Sequence, residues 1–313
     1  MTVPVSGGYP QYSYNGDPAG SAFIPEIWSG KLQVKFYKST VLGEITNNDW
    51  EGEIKNQGDT VHIRSIPTIT ISSYSKGMNL SNQVPESTPL ELTIDYGKYF
   101  SVIVDDVDAV QADVKLMDIF TNDAGEQMKI AIDNDVLNNV AADAAADNQG
   151  ATAGAISGDI DLGTTGASVA LDKDNILDNI LKCGQVLDEQ NVPEDGRWMV
   201  IPAWMSAMLK TSDLRQAYLT GDAESPLRNG KIGMIDRFTL YVSNNLDVVS
   251  DGGTNCWHVL SGTRDAISFA SQITNVETLR AQTTFGNIVR GLNVYGFKVV
   301  KPEALVDLYV SKA

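Results

Sequence analysis

The side chains that most often carry chemistry are scarce in this chain, which has two histidines and two cysteines. His62 lies in a segment of alternating polarity, and His258 follows Trp257 in an apolar segment. Neither histidine has a cysteine, an acid or a second histidine at metal-ligand spacing, so we interpret both as ordinary strand residues. Cys183 and Cys256 are too few for a disulfide framework, which favours a reducing compartment.

Carboxylates are abundant but form no recognisable catalytic pattern. The 313 residues include 40 Asp and Glu against 23 Lys and Arg, for a formal net charge of −17. Residues 172–175 resemble the start of a calcium loop, but Leu177 and Cys183 occupy the positions that need glycine and an acid. Motifs for phosphate, dinucleotide, nucleophilic-serine and zinc-protease sites are absent. The sequence therefore predicts no catalytic, cofactor-binding or metal-binding residue, and its charge disfavours direct nucleic-acid recognition.

The strongest structural signal is a long amphipathic segment from Asp105 to about Asp147. Eleven of its residues are acidic, and Lys115 and Lys129 are its only basic residues. Its apolar side chains recur at helical spacing; they are Val110, Val114, Met117, Phe120, Ala124, Met128, Ile132, Val136 and Val140. If it is helical throughout, about 38 residues form a rod of roughly 57 Å. Such a rod outspans a compact domain, so we predict a structural spine.

Directly before this spine, the sequence predicts a β-hairpin of more than forty residues. From Thr60 the polarity alternates with period two through Ile69 and Ile71, a polar tip follows Tyr74, and alternation resumes at Leu90. An isolated ribbon has no core and is marginally stable in water. Either the same chain or a neighbouring subunit must cover its apolar face. The length of the hairpin and its polar, proline-bearing tip favour a neighbour.

The N-terminal segment predicts an extended arm followed by a short helix. Residues 1–24 lack the basic start and apolar core of a signal peptide, and no apolar run is long enough to span a membrane. We therefore expect a soluble protein of cytoplasmic origin. Pro25 can open the helix, because proline suits a first helical turn.

A second domain follows the Gly-, Ala-, Thr- and Ser-rich stretch 148–170, which marks a boundary. Ile176, Ile180, Gly184 and Leu187 have the spacing of one helix face. The short strands and helices around them indicate α+β rather than a regular βαβ series. Alternation at 306–310 predicts a last strand close to the end of the chain.

Taken in this order, the segments resemble the major capsid proteins of tailed phages, which share the Hong Kong 97-type shell fold. Short sequence segments in the first half resemble three parts of the family's sequences. These are the transition from the arm to the first helix, the base and return strand of the extended hairpin (the E-loop), and the start of the spine helix. The phrases that carry the resemblance are Phe23–Ser29, Glu51–Ile54, Gly58–Arg64, Ile94–Phe100, Asp105–Asp108, Leu187–Glu189, Val192–Pro193, Gly196–Trp198, Gly230–Gly233, Phe238–Tyr241, Ser243–Asn244, Val294–Val299 and Pro302–Leu305.

The resemblance implies an α+β protein of the Hong Kong 97-type with six parts. They are an N-terminal arm (1–24), a first helix and connection (25–53), an E-loop hairpin (54–104), the spine helix of the peripheral domain (105–149), an axial domain (150–285) and C-terminal strands that return to the peripheral domain (286–313). It also implies a non-enzymatic coat protein that assembles into hexamers and pentamers of an icosahedral head around double-stranded DNA.

By the same resemblance, the E-loop lies over the adjacent subunit. We expect intersubunit contacts from Arg64, Ile69, Ile71, Lys76, Leu90 and Leu92. The implied partners are other copies of the chain, a separate scaffolding protein, a portal and a possible decoration protein, with DNA enclosed without sequence-specific binding and no membrane or cofactor. The protein would be made and assembled in the host cytoplasm and end in the virion. The sequence assigns no residues to a covalent crosslink.

Two alternatives remain open from the sequence. One is the shell of a bacterial nanocompartment, which has the same fold but carries enzyme cargo; the long arm and E-loop favour the phage form, and the nucleic-acid content of purified particles distinguishes the two. The other is a cytoplasmic hydrolase that uses scattered carboxylates. A hydrolase predicts a small oligomer in gel filtration, whereas a shell protein predicts capsomers or megadalton particles.

Overall fold

The computed structural model describes residues 35, 37–49, 60–64, 66–67, 69–86, 89–106, 116–212 and 233–313. The predicted arm at 1–24 and the predicted helix from Pro25 lie outside the described residues. The helices are α1 (Leu42–Ile45), α2 (Leu116–Asn139), α3 (Ile176–Glu189) and α4 (Ala203–Thr211). The strands are β1 (Thr60–Arg64), β2 (Pro89–Thr93), β3 (Tyr96–Asp105), β4 (Val169–Leu171), β5 (Arg197–Ile201), β6 (Met234–Ile235), β7 (Phe238–Val242), β8 (Val249–Asp251), β9 (Thr254–Thr263), β10 (Ile267–Arg280), β11 (Gly286–Val299) and β12 (Leu305–Lys312).

These strands form a ribbon and two larger sheets. The ribbon pairs β1 with β2, a three-stranded antiparallel sheet has the order β10-β11-β3, and a seven-stranded mixed sheet has the order β4-β12-β9-β5-β7-β6 with β8 beside β9. Every residue of β5 is buried, as expected for a central strand. The predicted face of α3 is confirmed, since Ile176, Ile180 and Leu187 are fully buried.

The C-terminal strands divide between the two larger sheets. β11 pairs with β3 and β10, but β12 lies between β4 and β9 in the seven-stranded sheet. β12 therefore joins strands from the predicted axial segment (150–285), whereas β11 joins β3. A short 3₁₀ turn at Pro302–Ala304 redirects the chain between the two sheets. Both faces of β12 are buried, as expected for a strand with a neighbour on each side.

The spine helix ends earlier than the sequence predicts. The described part of α2 ends at Asn139 and spans about 36 Å by its helical rise; residues 107–115 lie outside the described part. Two 3₁₀ turns, at 141–143 and 146–148, replace its predicted end. Hydrogen bonds to residues 302–305 hold this part of the backbone out of the α-helical conformation. The amide nitrogen of Ala145 donates to Pro302, and the Asn148 side-chain amide donates to the carbonyls of Glu303 and Leu305. The predicted stripe itself is confirmed where α2 is buried, at Ile132 and Val136, and at Val140 directly after the helix.

The paired part of the predicted hairpin is also short. Its register runs from Thr60 opposite Thr93 to Arg64 opposite Pro89. Residues 96–104, the last part of the predicted hairpin segment, lie in β3 and pair with β11 rather than with β1. The prediction that Ile69 and Ile71 continue the first strand is wrong, since neither is in a strand.

Candidate assembly surface

The base of the hairpin is covered by its own chain. Ile63, Leu92 and Ile94 are buried in a small cluster with Ala270 of β10. A Cβ atom added at Gly296 of β11 would overlap the carbonyl oxygen of Thr93, so only glycine admits this close crossing. Of the two arrangements left open by the sequence, coverage by the same chain therefore holds at the base.

The outer part of the hairpin, residues 66–86, is not covered by any other part of the chain that the structure describes; we call it the hairpin tip. It turns at Lys76 and Gly77, whose φ of 91° favours glycine. The Gln83 side chain ties the two arms together: its amide nitrogen donates to the carbonyl of Thr70 at 2.7 Å, and its oxygen accepts from the Thr70 backbone nitrogen at 3.1 Å.

Large apolar side chains project from this tip into solvent. Ile66 is 95% exposed, Ile71 90% and Val84 84%, and Ile69, Tyr74 and Leu80 are also exposed. An exposed apolar patch of this kind marks an interaction site rather than an ordinary surface.

The structure separates the predicted contact residues into two groups. Arg64, Lys76, Ile69 and Ile71 are exposed, as an intersubunit contact requires. Leu92 is fully buried against its own chain, so its predicted contact with a neighbour is wrong. Leu90, half-buried, packs on the same internal cluster.

The three-stranded sheet is anchored on one face by α2. The Tyr295 hydroxyl of β11 donates to Asp135 of α2 at 2.6 Å, and the Lys98 ammonium of β3 lies 3.4 Å from the same carboxylate. Burial, then the hydrogen bond to Asp135, raises the pKa of Tyr295 far above its ordinary value, so this hydroxyl remains a donor. At the end of the sheet Arg280 forms a two-pronged ion pair with Asp106.

A buried carboxylate that sequence reasoning missed holds the first described segment onto α2. Asp133 is 1% exposed and accepts hydrogen bonds from the backbone nitrogens of Val41 and Leu42 and from the Asn245 side chain, at 2.9, 2.8 and 2.6 Å. In the sequence it is only one of the eleven acids of the predicted spine segment. Its place directly after Ile132 in the apolar stripe is the signal that could have indicated burial.

The histidines and cysteines also acquire surroundings that the sequence does not show. Nδ1 of His258 lies 2.7 Å from Oδ2 of Asp307, which the pairing of β9 with β12 brings close. Burial raises the pKa of the Cys183 thiol to about 12, and Cys256 is a buried free thiol. Among the described residues, no three His, Cys, Asp or Glu side chains lie close enough together to hold a metal ion. No helix in that part of the chain has the length and apolar character needed to cross a membrane.

Comparison with known proteins identifies the family. Residues 91–308 match the family described as phage capsid protein. A structure from Mycobacterium phage Che8 is 32% identical with a TM-score of 0.76, over 92% of this chain and 98% of that one. The capsid of cyanophage P-SCSP1u (14% identity, TM-score 0.71, 93% and 94% coverage) and the mature capsid of bacteriophage PhiM1 (15%, 0.67, 99% and 99%) share the fold. No curated protein matches the sequence significantly.

The chain therefore belongs to the phage capsid protein family. Its α+β fold is of the Hong Kong 97-type, as the sequence predicts. Its function is that of a phage major capsid protein, a structural component of the virion that assembles with copies of itself.

Proposed function

We propose that the chain assembles into hexamers and pentamers of an icosahedral head around double-stranded DNA, with the hairpin tip of each subunit contacting its neighbour. The observation that carries this proposal is the uncovered apolar tip. Fully burying one Ile, Leu or Val side chain is worth about 1.5–3 kcal/mol. Several such side chains on one tip supply a substantial driving force, and each subunit of a closed shell makes many contacts at once.

The two larger sheets fit different places in such a shell. We assign the seven-stranded sheet, including β12, to the axial domain at the capsomer centre, and the three-stranded sheet with α2 to the peripheral domain. Residues 1–24 serve as the arm. This division follows the sheet pairing rather than the sequence boundary at 286.

The remaining partners follow from chemistry and from the family resemblance. A net charge of −17 repels DNA at range, so the genome is enclosed without sequence-specific binding. We propose a separate scaffolding protein, a portal and a possible decoration protein as further partners, with assembly in the host cytoplasm. No catalytic step is assigned to any residue.

Gel filtration and electron microscopy of the full-length chain test this function. Capsomers or megadalton shells are expected, and a chain that stays monomeric at all concentrations would overturn the proposal. Nucleic acid inside particles from infected cells supports the phage head. Particles that hold a protein cargo and no DNA would support the nanocompartment shell instead.

A further inference from the structure

The outer edge of β12 is only partly covered by its neighbour β4. The two strands pair over residues 310–312 of β12, and β4 has three residues. Before that pairing begins, the backbone nitrogen of Tyr309 donates to the carbonyl of Leu162 at 2.8 Å. An open strand edge can pair with a strand of another chain, so proteins cover such edges. Residues 148–168, which we call the strap, therefore close the edge that the short β4 leaves open.

Both ends of the strap are fixed to β12. At its start, the Asn148 side chain donates to the carbonyl of Leu305 at 2.9 Å and accepts from the Gln190 side chain at 3.1 Å. At its end, the Ser168 hydroxyl donates to the Ser311 hydroxyl at 3.0 Å. Opening of the strap is therefore expected in its middle.

The middle of the strap is a small two-stranded ladder. Ala153 and Ile160 exchange two backbone hydrogen bonds, of 2.8 and 3.0 Å, and the nitrogen of Leu162 donates to the carbonyl of Gly150 at 2.8 Å. A ladder of this kind is marginally stable by itself. The side chains of Ile160 and Leu162 are buried, but Ile156 in the turn is 81% exposed. Core packing and the ladder thus position the Leu162 carbonyl, and the turn of the ladder needs a separate support.

The carboxylate of Glu189, at the end of α3, supports that turn. One oxygen accepts from the backbone nitrogens of Ile156 and Ser157 at 2.8 and 3.0 Å and from the Ser157 hydroxyl at 3.2 Å. The other oxygen accepts from the Gln185 side chain at 2.9 Å. These uncharged donors, the Ser157 backbone nitrogen first, lower the pKa of Glu189 to about 2. The turn is therefore held by an acceptor that protonation removes.

Three other carboxylates lie near these contacts. Asp161 accepts a backbone hydrogen bond within the strap, at 2.9 Å. Asp251 of β8 accepts from a backbone nitrogen of the strap and from the Tyr309 hydroxyl. Asp188, which precedes Glu189 in α3, is paired with two arginines instead. Glu189 is therefore the carboxylate that holds the turn itself, whereas Asp161 and Asp251 hold the part of the strap that follows it.

We infer that the strap is an acid-released guard of the β12 edge. The Glu189 carboxylate holds the turn closed, the ladder keeps the Leu162 carbonyl on the Tyr309 nitrogen, and release of the turn uncovers that edge. Because the pKa of Glu189 is lower in the folded chain than its ordinary value, the guard is closed above about pH 4.5 and opens as the pH falls toward 2. This device is separate from the hairpin tip and does not depend on the proposed function.

Hydrogen exchange of the full-length chain tests the guard at the Tyr309 amide. At pH 7, Glu189→Ala should accelerate this exchange about tenfold, as expected from the loss of a few hydrogen bonds. The Leu308 and Val310 amides are internal controls, because alternate amides of β12 face β9 on its other side. Glu194→Ala, an equal change of charge at an exposed acid outside the strap, should leave all three rates unchanged.

The wild-type chain should show the same acceleration at Tyr309 as the pH falls from about 4.5 toward 2, relative to an unstructured peptide. Exchange that accelerates at Ile156 and Ser157 but not at Tyr309 would overturn the inference, because the turn would then open without uncovering the edge. Equal acceleration at Leu308 and Val310 would also overturn it, since β12 would then separate from β9 as a whole.

Gln185→Ala decides the result if Glu189→Ala fails to fold, which faster exchange throughout β5 would reveal. This milder variant removes the side chain that braces the Glu189 carboxylate and leaves the carboxylate in place. It should accelerate exchange at Tyr309 while β5 remains protected, and an unchanged Tyr309 rate would overturn the inference. None of these results bears on assembly through the hairpin tip, which gel filtration measures separately.

Discussion

At the scale of single residues, Asp133 connects segments that are distant in sequence. It is nearly inaccessible to water, yet both of its oxygens are used, one by two backbone nitrogens at the start of α1 and the other by Asn245. A buried carboxylate is tolerable only when its hydrogen bonds are made. Here those bonds fix α1 and the loop after β7 onto α2.

Replacing Asp133 with Ala should lower the free energy of unfolding by about 3–5 kcal/mol, because it leaves three buried donors without an acceptor. Chemical denaturation of the unassembled chain measures this loss. Glu126→Ala is the matched control on the same helix, since its ion pair with Lys129 is largely exposed and should change stability by less than about 0.5 kcal/mol. Equal stabilities of the two variants would contradict the structural role of Asp133.

Arg64 and Lys76 are the basic residues of the described hairpin, and both are exposed. Changing either to Glu adds negative charge where an acidic neighbour must approach, so assembly should fail while the monomer stays folded. Gel filtration reports assembly, and circular dichroism reports folding. Lys173→Glu, an equal change of charge at an exposed site outside the hairpin, should assemble normally. Assembly retained in both hairpin variants would count against the intersubunit contact.

At the scale of elements, α2 is the support on which the three-stranded sheet and α1 are placed. Its buried stripe includes Ile132 and Val136, and the Asp135 carboxylate accepts a hydrogen bond from Tyr295 of the sheet. The helix ends without a proline or glycine. The residues that follow it are held instead by hydrogen bonds from Ala145 to Pro302 and from Asn148 to Leu305.

Ile132→Pro should prevent folding, because a proline inside the helix removes a backbone hydrogen bond and collides with the preceding turn at a cost of about 3 kcal/mol or more. It also displaces the neighbouring Asp133. Loss of the cooperative thermal transition is the expected observation. Ala131→Gly, at the exposed position before it, should cost only about 1 kcal/mol and remain folded. A folded Ile132→Pro chain would show that α2 is not the support described here.

At the scale of the whole molecule, some acidic side chains accept hydrogen bonds that hold the fold together, in addition to the many that are hydrated at the surface. Glu189 at the end of α3 accepts hydrogen bonds from the backbone nitrogens of Ser157 and Ile156, and these, together with Gln185, lower its pKa to about 2. Its carboxylate thereby shapes the loop after α2, whose Ile156 side chain is exposed.

This loop should lose its order in acid. Because the pKa of Glu189 is lower in the folded chain than its ordinary value, the stabilisation is complete above about pH 4.5 and is lost as the pH falls toward 2. Hydrogen exchange at the Ile156 and Ser157 amides should accelerate, relative to an unstructured peptide, across that window. Glu189→Gln should remove this pH dependence while leaving exchange in β5 unchanged. Full protection in the wild-type chain at pH 2 would contradict the assignment.

Local patterns were sufficient where one side of an element meets the core. The buried faces of α2 and α3 follow from helical spacing, because burial selects apolar residues at the period of the element. The resemblance of the ordered phrases then predicted the family and its fold.

The sequence by itself therefore determined the long helix, the buried faces of α2 and α3, and the class of protein. Only the tertiary structure decided that β3 pairs with β11, that β12 enters the larger sheet, and that the hairpin base covers Gly296 while its tip remains exposed. These outcomes depend on partners far apart along the chain, and a local period encodes which side of a segment is buried but not which segment buries it.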